Sequence, residues 1–426
     1  MPHSAALEHV EDLGRFVTAS PSSFHAVAEA AQRLDDAGFV RLSERDAWQG
    51  TPGARYTVRD GAIIAWVVPE GAGPDTGFHI LGSHTDSPSF KLKPKATIGR
   101  DGWLQAGVEV YGGPLLNSWL DRELLLAGRV VTRDGSEHLV RTGPLLRFPQ
   151  LAIHLDRNVN DGLTLDKQRH MNPVWGLGEP SEADVLGVLA ESAGLDLADI
   201  GGYDVVLADT QPPAVFGADG EFFASGRLDN LSSVHASLAA LIRHRSAGGG
   251  NRIAVLAAFD HEEVGSASRS GACGPFLQEV LERVSSGLGA GADERARAYA
   301  DSVCVSADAG HAVHPNYGER HDPANRPLPG RGPLLKINAN QRYTTDAHGA
   351  ALWSRLSDRA GVPYQEFVSN NALPCGSTIG PLTATRLGIR TLDVGIALLS
   401  MHSAREMCGV EDPLGLSKVA EAFFRD

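Results

Sequence analysis

Carboxylates and imidazoles follow the ends of several apolar runs in this sequence. The residues are His84 and Asp86, Glu262 and Glu263, Asp308, and His402, together with Asp229 at the start of a helical segment. Because the carboxyl ends of parallel strands meet at one edge of a sheet, we expect these side chains to converge although they are far apart in sequence. Histidines and carboxylates without cysteine form a ligand set that suits Zn²⁺, Mn²⁺ or Co²⁺.

The number of candidate ligands is sufficient for two metal ions. Such a site needs one bridging carboxylate, and at least one terminal carboxylate and one histidine for each ion. We assign Asp229 as the bridge, with His84 and Asp308 on one ion. Glu263 and His402 are assigned to the other ion. The prediction is therefore a pair of divalent ions about 3.5–4 Å apart.

The two remaining carboxylates have separate predicted roles. In the His84-x-Asp86 motif, the Asp86 carboxylate can accept the second imidazole N–H, which fixes the tautomer of His84 and raises its basicity. Adjacent side chains in the Glu262–Glu263 pair point in different directions, so one can bind a metal while the other takes a proton from the activated water. Glu262 is the predicted general base, because the base must not itself be held as a ligand.

Each of these motifs is weak when taken alone. A single His-x-Asp or Glu-Glu is more often structural or solvated, and an Asp after a strand is usually a helix cap or turn residue. Their joint appearance at the ends of apolar runs supports the interpretation. His261, His311 and His314 are spare imidazoles with neighbouring or structural roles. Cys375 is an alternative nucleophile, although a buried structural cysteine is the simpler interpretation.

An alternating series of strands and helices must position these residues. Apolar strand-like runs precede the candidate ligands at 78–82, 252–259, 302–307 and 391–396. A helix with 3.6-residue periodicity follows Asp229. This pattern predicts an α/β fold in which a mostly parallel sheet is flanked by helices.

The segment from 93 to 223 has a different pattern. Short strand-like runs such as 108–111, 124–131 and 151–155 alternate with turns here, without the longer helical segments. We therefore predict a discontinuous catalytic domain, formed by 1–92 and 224–426, which is interrupted by an inserted β-rich domain over 93–223.

The charge balance excludes several classes of partner. The 426 residues include 38 Lys+Arg and 52 Asp+Glu, which gives a formal net charge of -14. Nucleic acid and anionic membranes both require a basic patch, so neither is expected as a partner. We expect no secretory signal, and no apolar run approaches the ~18 residues of a spanning helix. The four cysteines form no CxxC pair, which favours a reducing, cytoplasmic setting.

Seven longer motifs occur in order along nearly the whole chain. They are GSHTDSPSFKLKP (82–94), SGRLDNLSS (225–233), DHEEVGSAS (260–268), SADAGHAVHPNY (306–317), KINANQRY (336–343), CGSTIGP (375–381) and SMHSAREMCG (400–409). Together they resemble the motifs of the aspartyl aminopeptidases, the M18 family of metallopeptidases. The resemblance implies a two-metal site, usually zinc, on an α/β domain that carries an inserted β-rich domain for dimerisation or oligomerisation. It also implies removal of N-terminal Asp or Glu from peptides, and assembly of dimers into tetrahedral dodecamers.

Individual residues carry this resemblance further. By motif, the metal ligands, the orienting aspartate and the base are the same residues as those assigned above. The string LAIHLDRNVN (151–160) is similar to the segment in which a histidine reaches the active site of a neighbouring subunit, so His154 becomes a candidate for stabilising the tetrahedral intermediate. Lys336 and Arg342, both in KINANQRY, are the candidates for binding an acidic substrate side chain.

The predicted function is hydrolysis of peptides after an acidic N-terminal residue, by a metal-activated water with Glu262 as the base. The negative net charge does not exclude an acidic substrate, because two divalent ions would add +4 at the site. A broad-specificity aminopeptidase or an N-acyl amino acid deacylase on the same scaffold is an alternative. Two further alternatives are a non-enzymatic binding or chaperone role and a serine or cysteine hydrolase. The activity of a serine or cysteine hydrolase would survive treatment with a chelator.

Overall fold

Helices and strands alternate along residues 4–426, the part of the chain that this computed structural model describes. The helices are α1 (Ser4–Ala19), α2 (Ser23–Asp36), α3 (Val185–Ser192), α4 (Leu228–Ala247), α5 (Phe276–Gly287), α6 (Ala292–Ala300), α7 (Ala347–Ala360), α8 (Ile379–Leu387) and α9 (Glu411–Phe424). The strands up to residue 225 are β1 (Val40–Arg41), β2 (Gly53–Arg59), β3 (Ala62–Val68), β4 (Phe78–His84), β5 (Ser89–Arg100), β6 (Trp103–Tyr111), β7 (Leu124–Thr132), β8 (Glu137–Arg141), β9 (Val174–Leu177), β10 (Ile200–Asp209), β11 (Ala214–Phe216) and β12 (Phe222–Ser225). The later strands are β13 (Ile253–Phe259), β14 (Val303–Ala307), β15 (Gly310–His311), β16 (Leu334–Lys336), β17 (Gln365–Phe367), β18 (Arg390–Gly395), β19 (Ala397–Leu398) and β20 (Glu406–Gly409).

A nine-stranded mixed sheet forms the centre of the molecule. Its strand order is β1-β2-β3-β13-β4-β14-β18-β16-β17, and the four strands β13, β4, β14 and β18 are parallel to their neighbours within this group. The carboxyl ends of these four strands therefore lie at the same edge of the sheet. The predicted α/β fold with a mostly parallel sheet flanked by helices is confirmed.

Helices cover both faces of this sheet. Every residue of β4 and β13 is buried, and successive side chains contribute to different apolar clusters. Leu256 packs in the cluster that contains side chains of α1, α4 and α9, whereas Val255 and Ala257 pack with side chains of α5, α6 and α8. Because side chains alternate between the faces of a strand, a continuous apolar run is what burial on both faces requires.

A second, antiparallel sheet lies between β4 and α4 in the sequence. Its six strands have the order β8-β7-β10-β5-β6-β9 and span residues 89–209. Phe90, Val130 and Leu207 form part of its separate core, which α3 covers with Leu189. The sheet begins before the predicted boundary at residue 93, and the chain afterwards pairs β12 with β20. The division of the chain into a catalytic and an inserted domain stays a prediction, with which this sheet pairing agrees.

The strand-like run over 151–155 is not a strand. Residues 151–173 form turns and irregular structure, and Leu151, Ile153 and Leu155 are 61%, 45% and 74% exposed. Alternating apolar side chains resemble a half-buried strand in sequence, but no strand of the described chain pairs with this run.

None of the helices in residues 4–426 combines the length and apolar character that crossing a membrane requires.

Candidate metal centre

The candidate ligands lie together at the carboxyl edge of the nine-stranded sheet. His84 ends β4, Asp308 follows β14 directly, and Glu263 lies in the turn after β13. Asp229 is in the first turn of α4, where the Asp229–Asn230 peptide bond is cis, and His402 lies between β19 and β20.

Two histidines near the candidate ligands adopt left-handed backbone conformations. His261, just before the Glu262–Glu263 pair, has φ of 62°, and His402 has φ of 66°. Non-glycine residues pay a conformational cost in this region, and such residues concentrate at functional sites. Here the conformation turns the chain sharply at the point where ligand side chains must face the sheet edge.

The distances between ligand atoms match a shared metal site. Nε2 of His84 lies 3.4 Å from Oδ1 of Asp229 and 3.8 Å from Oδ1 of Asp308. Nε2 of His402 lies 3.4 Å from Oδ2 of Asp229 and 3.5 Å from Oε2 of Glu263. These separations are too long for good hydrogen bonds. They are close to the roughly 3.3 Å that separates two ligands when each is about 2.0 Å from a tetrahedral ion.

The donor chemistry also fits a divalent cation. Three groups of ligand atoms each lie within 4.8 Å: His84 with Asp229 and Asp308, Asp229 with Glu263 and His402, and His84 with Glu262 and Glu263. Oδ1 of Asp229 and Oε1 of Glu263 are buried without a hydrogen-bond partner in the described chain. Because buried polar atoms in folded proteins are almost always paired, these oxygens are suited to a cation.

Crowded carboxylates change the pKa values at the site. Burial and the charges of Asp308 and Asp86 raise the pKa of Glu262 to about 7, although His84 lowers it. Burial and the charge of Asp229 raise the pKa of Glu263 well above its ordinary range. Both shifts have the same cause, which is the repulsion and desolvation of crowded carboxylates without a neighbouring cation.

The histidine ligands respond in the opposite direction. Burial lowers the pKa of His402, but Asp229 and Glu263 outweigh burial and raise it to about 10. In the same way, burial opposes a charge on His84, whereas Asp229 and Asp308 raise its pKa well above the usual value. The site therefore has a strong preference for positive charge, which metal ions or protonated imidazoles can supply.

Asp86 makes different contacts from those that the sequence predicts. Nδ1 of His84 is 3.0 Å from the backbone carbonyl of Asp86 and 3.4 Å from its carboxylate Oδ1. The carbonyl is thus the closer acceptor that orients the imidazole. The Asp86 carboxylate instead accepts the backbone N–H groups of Glu262 at 3.0 Å and Glu263 at 3.2 Å, and the hydroxyl of Tyr111 at 2.8 Å.

Glu406 and Tyr111 contact residues of the candidate site, and the sequence analysis predicted neither contact. The buried Glu406 carboxylate accepts the N–H groups of Asp229 at 3.0 Å and His402 at 2.8 Å. Burial and the charge of Asp229 raise the pKa of Glu406 to about 8. Glu406 is part of the SMHSAREMCG motif, which offered a signal, whereas Tyr111 lies in the antiparallel sheet and the sequence shows no sign of its contact with Asp86.

Lys336 is buried at the end of β16, with its ammonium next to Ala309, the residue that follows Asp308. Only 1% of the residue is exposed, and its Nζ donates a hydrogen bond to the Ala309 carbonyl at 2.8 Å. Nζ also lies 5.1 Å from the ring centroid of Tyr343. No carboxylate of residues 4–426 forms an ion pair with it. Arg342 is exposed, and its side-chain Nε donates to the Gly376 carbonyl at 3.4 Å.

The structure does not bring His154 to the ligands of its own chain. It is exposed within the turns of 151–160, and no recorded contact joins it to the metal centre in the described residues. The spare histidines contact other groups: Nδ1 of His261 is 2.9 Å from Oγ of Ser268, and Nδ1 of His314 accepts the N–H of Asn316. The charge of Lys336 and burial lower the pKa of His311, with burial the larger cause. Cys375 is a half-buried free cysteine.

This sheet edge, with its histidines and carboxylates, is typical of metal-dependent hydrolases. The sequence profile described as "Aminopeptidase I zinc metalloprotease (M18)" matches residues 16–424. The "Probable M18 family aminopeptidase 2" of Streptomyces coelicolor is 54% identical over 421 residues, which cover 98% of each chain. The chain therefore belongs to the M18 family of aminopeptidases, which are metal-dependent hydrolases, and the family predicted from the seven motifs is confirmed.

Two solved structures are also similar over the length of this chain. The cryo-EM structure of the Ape4 and Nbr1 complex contains a chain that is 38% identical, with a TM-score of 0.95 over 99% of this chain and 86% of that chain. The S. cerevisiae mApe1 dodecamer gives 28% identity and a TM-score of 0.87, over 99% of this chain and 97% of that chain. The α/β architecture is thus shared with experimentally solved proteins.

Proposed function

We propose that this M18 aminopeptidase removes N-terminal Asp and Glu from peptides with two divalent metal ions and Glu262 as the general base. The acidic preference rests chiefly on one observation, the buried Lys336 ammonium, which has no carboxylate partner in the described part of the chain. The metal site rests on the spacing of the ligand atoms around Asp229. The alternatives are a broad-specificity aminopeptidase and an N-acyl amino acid deacylase with the same ligands.

The ligand groups divide naturally between two ions. His84, Asp229 and Asp308 would hold one ion, and Asp229 would share its second oxygen with Glu263 and His402 at the other. Zinc is the proposed metal, with cobalt or manganese as alternatives, because nitrogen and oxygen donors suit all three. Bound there, the ions would polarise the scissile carbonyl and lower the pKa of a water to about 7.

Glu262 has the position of a proton carrier rather than of a ligand. Its Oε2 lies 4.0 Å from Nε2 of His84, farther than the nearest oxygens of Asp229 and Asp308. Its side chain is 18% exposed, whereas that of Glu263 is 5% exposed. We assign to the Glu262 carboxylate the removal of a proton from the attacking water and its delivery to the leaving amine.

Lys336 provides the charge that an acidic substrate side chain needs. A buried ammonium is costly unless it is paired, and within residues 4–426 the only acceptor of its hydrogen bonds is the neutral carbonyl of Ala309. A substrate carboxylate would complete this pairing. Arg342 is exposed and is assigned a secondary role in attracting the substrate.

A homo-oligomer is part of the proposal. The loop over 151–163 exposes Leu151, Ile153, Leu155 and Leu163, and exposed apolar side chains clustered in sequence are a feature of association surfaces. The similar mApe1 is a dodecamer. We therefore propose that dimers assemble into a dodecamer, and that His154 stabilises the tetrahedral intermediate in the active site of a neighbouring subunit.

A substrate panel tests the proposal directly. Peptides that begin with Asp, Glu or Leu, and an N-acyl amino acid, would be assayed before chelation, after chelation and after addition of Zn²⁺, Mn²⁺ or Co²⁺. Fast hydrolysis of the Asp and Glu peptides, lost on chelation and restored by metal, is the expected result. Equal rates on Leu peptides would replace the acidic preference with broad specificity, and hydrolysis of the acyl compound alone would indicate a deacylase.

A further inference from the structure

The antiparallel sheet reaches the metal centre through residues 111–118, which we call the β6 exit segment. Its first residue, Tyr111, donates its hydroxyl hydrogen to Oδ2 of Asp86 at 2.8 Å. This is the shortest hydrogen bond recorded at that carboxylate, and a bond from a hydroxyl to a carboxylate is among the stronger kinds. The backbone N–H groups of Glu262 and Glu263 also donate to the Asp86 carboxylate, at 3.0 and 3.2 Å. One carboxylate therefore joins the antiparallel sheet to the turn that carries the base.

The β6 exit segment also contacts the loop of His402. Nδ1 of His402 is 3.0 Å from the Gly113 carbonyl, and it donates this bond when Nε2 is a metal ligand. The N–H of Leu115 donates to the His402 carbonyl at 2.9 Å. Ser118 Oγ accepts the N–H of Ala404 at the same distance. The ligand His402 is thus held from both its ring and its backbone by the same segment.

Glycine at position 112 allows the close approach. Gly112 has φ of 70°, and a Cβ placed there would lie 3.1 Å from Cβ of Glu263. A larger residue would be strained by the backbone and would press on the ligand. The segment therefore approaches Glu263, His402 and Asp86, on both sides of the site.

We propose that Tyr111 is a positioning residue that makes the metal centre depend on the antiparallel sheet. Through Asp86 it holds the backbone of Glu262 and Glu263, and so aims the base and a ligand at the sheet edge. The proposal rests on the proposed two-metal function. It adds that the residues of 89–209 contribute to metal affinity and turnover, besides any role in assembly.

The physical reason is the small number of donors at a buried carboxylate. Asp86 is 5% exposed, so water cannot freely replace a lost donor. Without the Tyr111 hydroxyl, Oδ2 keeps only the longer bond from Glu263, and the carboxylate can rotate away from the two backbone N–H groups. Loss of such an outer partner typically reduces metal affinity or activity roughly 10–100-fold.

The test compares two tyrosine variants of the full-length protein. Tyr111→Phe removes only the hydroxyl that contacts Asp86. Tyr203→Phe is the matched control, because its hydroxyl donates to the Lys93 carbonyl at 2.6 Å within the same sheet, without contact with the metal centre. Zinc affinity of the metal-free proteins is measured by competition with a chromophoric chelator, and kcat, KM and Tm are measured for both variants.

The expected result is a drop of roughly 10-fold or more in zinc affinity and in kcat for Tyr111→Phe, with little change in KM and with Tm of the metal-free protein no lower than that of metal-free Tyr203→Phe. The control should match the wild type in zinc affinity and kcat. Unchanged zinc affinity in Tyr111→Phe, or an equal loss in both variants, overturns the proposal while the proposed function stands. A wild-type protein without zinc binding or peptidase activity overturns the proposed function, and this inference with it.

Discussion

Charged side chains are grouped at the metal centre and at the contact between the two large sheets, and the two groups are arranged differently. At the metal centre no lysine or arginine of residues 4–426 forms an ion pair with the carboxylates. At the sheet contact, Arg129 pairs with Asp60 at 2.9 Å and with Asp204 at 3.1 Å. Lys91 also pairs with Asp204, and Arg269 with Asp60.

The pKa values reflect this difference. Burial raises the pKa of Asp60 and Asp204, but their basic partners outweigh burial and lower it. The pKa values of Glu262 and Glu263 are raised instead. Satisfied charges stabilise the contact between sheets, whereas the carboxylates of the candidate metal centre, which have no lysine or arginine partner within residues 4–426, are suited to a cation from outside the chain. The following predictions test that distinction.

Metal removal should have the largest effect. Chelation should abolish peptidase activity and lower Tm, because the carboxylates around Asp229 then repel one another without compensation. Activity and Tm should both recover when zinc is added, as measured in parallel by hydrolysis of an Asp peptide and by a thermal melt. Full activity after exhaustive chelation would contradict the metal centre and favour a serine or cysteine hydrolase.

Replacement of the base should come next. Glu262→Gln keeps the size of the side chain but removes its ability to accept a proton, so kcat should fall about 10²–10⁴-fold. Zinc content should stay near that of the wild type, because the proposed ligands remain. Glu191→Gln, an exposed change on α3, serves as the control. A Glu262→Gln protein that retains turnover would contradict the assignment of the base.

The convergence of the candidate ligands could be predicted because strand ends follow a simple rule. Apolar runs that are followed by His84, Glu263 or Asp308 indicate parallel strands, and parallel strands bring their carboxyl ends together. The contacts of Tyr111 could not be predicted in the same way. They depend on how the antiparallel sheet packs against the other sheet, and no local pattern in the sequence encodes that packing.

The run over 151–155 also shows that a local sequence pattern is not sufficient for a correct prediction. Its apolar alternation is a local pattern typical of a strand, but a strand also needs a hydrogen-bonding partner. No partner is available within the described chain, and the apolar side chains remain exposed. The closer contact of His84 with the Asp86 carbonyl, rather than with the carboxylate, is likewise a matter of local backbone geometry that residue types alone do not determine.

Substrate selectivity should respond to Lys336 more than to Arg342. Lys336→Met replaces the lysine with an uncharged side chain of similar length. Leaving a buried carboxylate unpaired costs about 3–5 kcal/mol, so kcat/KM on Asp peptides should fall roughly 150- to 5,000-fold. The fall on Leu peptides should be much smaller. Arg342→Met is the comparison and should change the Asp to Leu ratio far less, since Arg342 is exposed. An equal loss on both substrates would contradict the specificity role of Lys336.

The sheet contact should give the smallest effect on function. Arg129→Met removes the guanidinium from Asp60 and Asp204 and should lower the free energy of unfolding by about 2 kcal/mol, the scale of hydrogen bonds to charged groups. Well below Tm, zinc affinity should stay within a small factor of the wild type, because the contacts of Tyr111 and His402 remain.

The loss of stability in Arg129→Met should depend on pH, because the paired carboxylates become neutral in acid. Asp60 and Asp204 have pKa values lowered from the ordinary 3.8, so their pairing with Arg129 stabilises the fold fully above pH 3.8 and is lost as the pH falls through the lowered pKa values of the folded protein. Denaturant melts at pH 7 should therefore separate the wild type from Arg129→Met, and melts taken below those lowered pKa values should bring the two curves together. A difference that persists at low pH would show that Arg129 acts through packing, including its stacking on Phe24, instead of through charge.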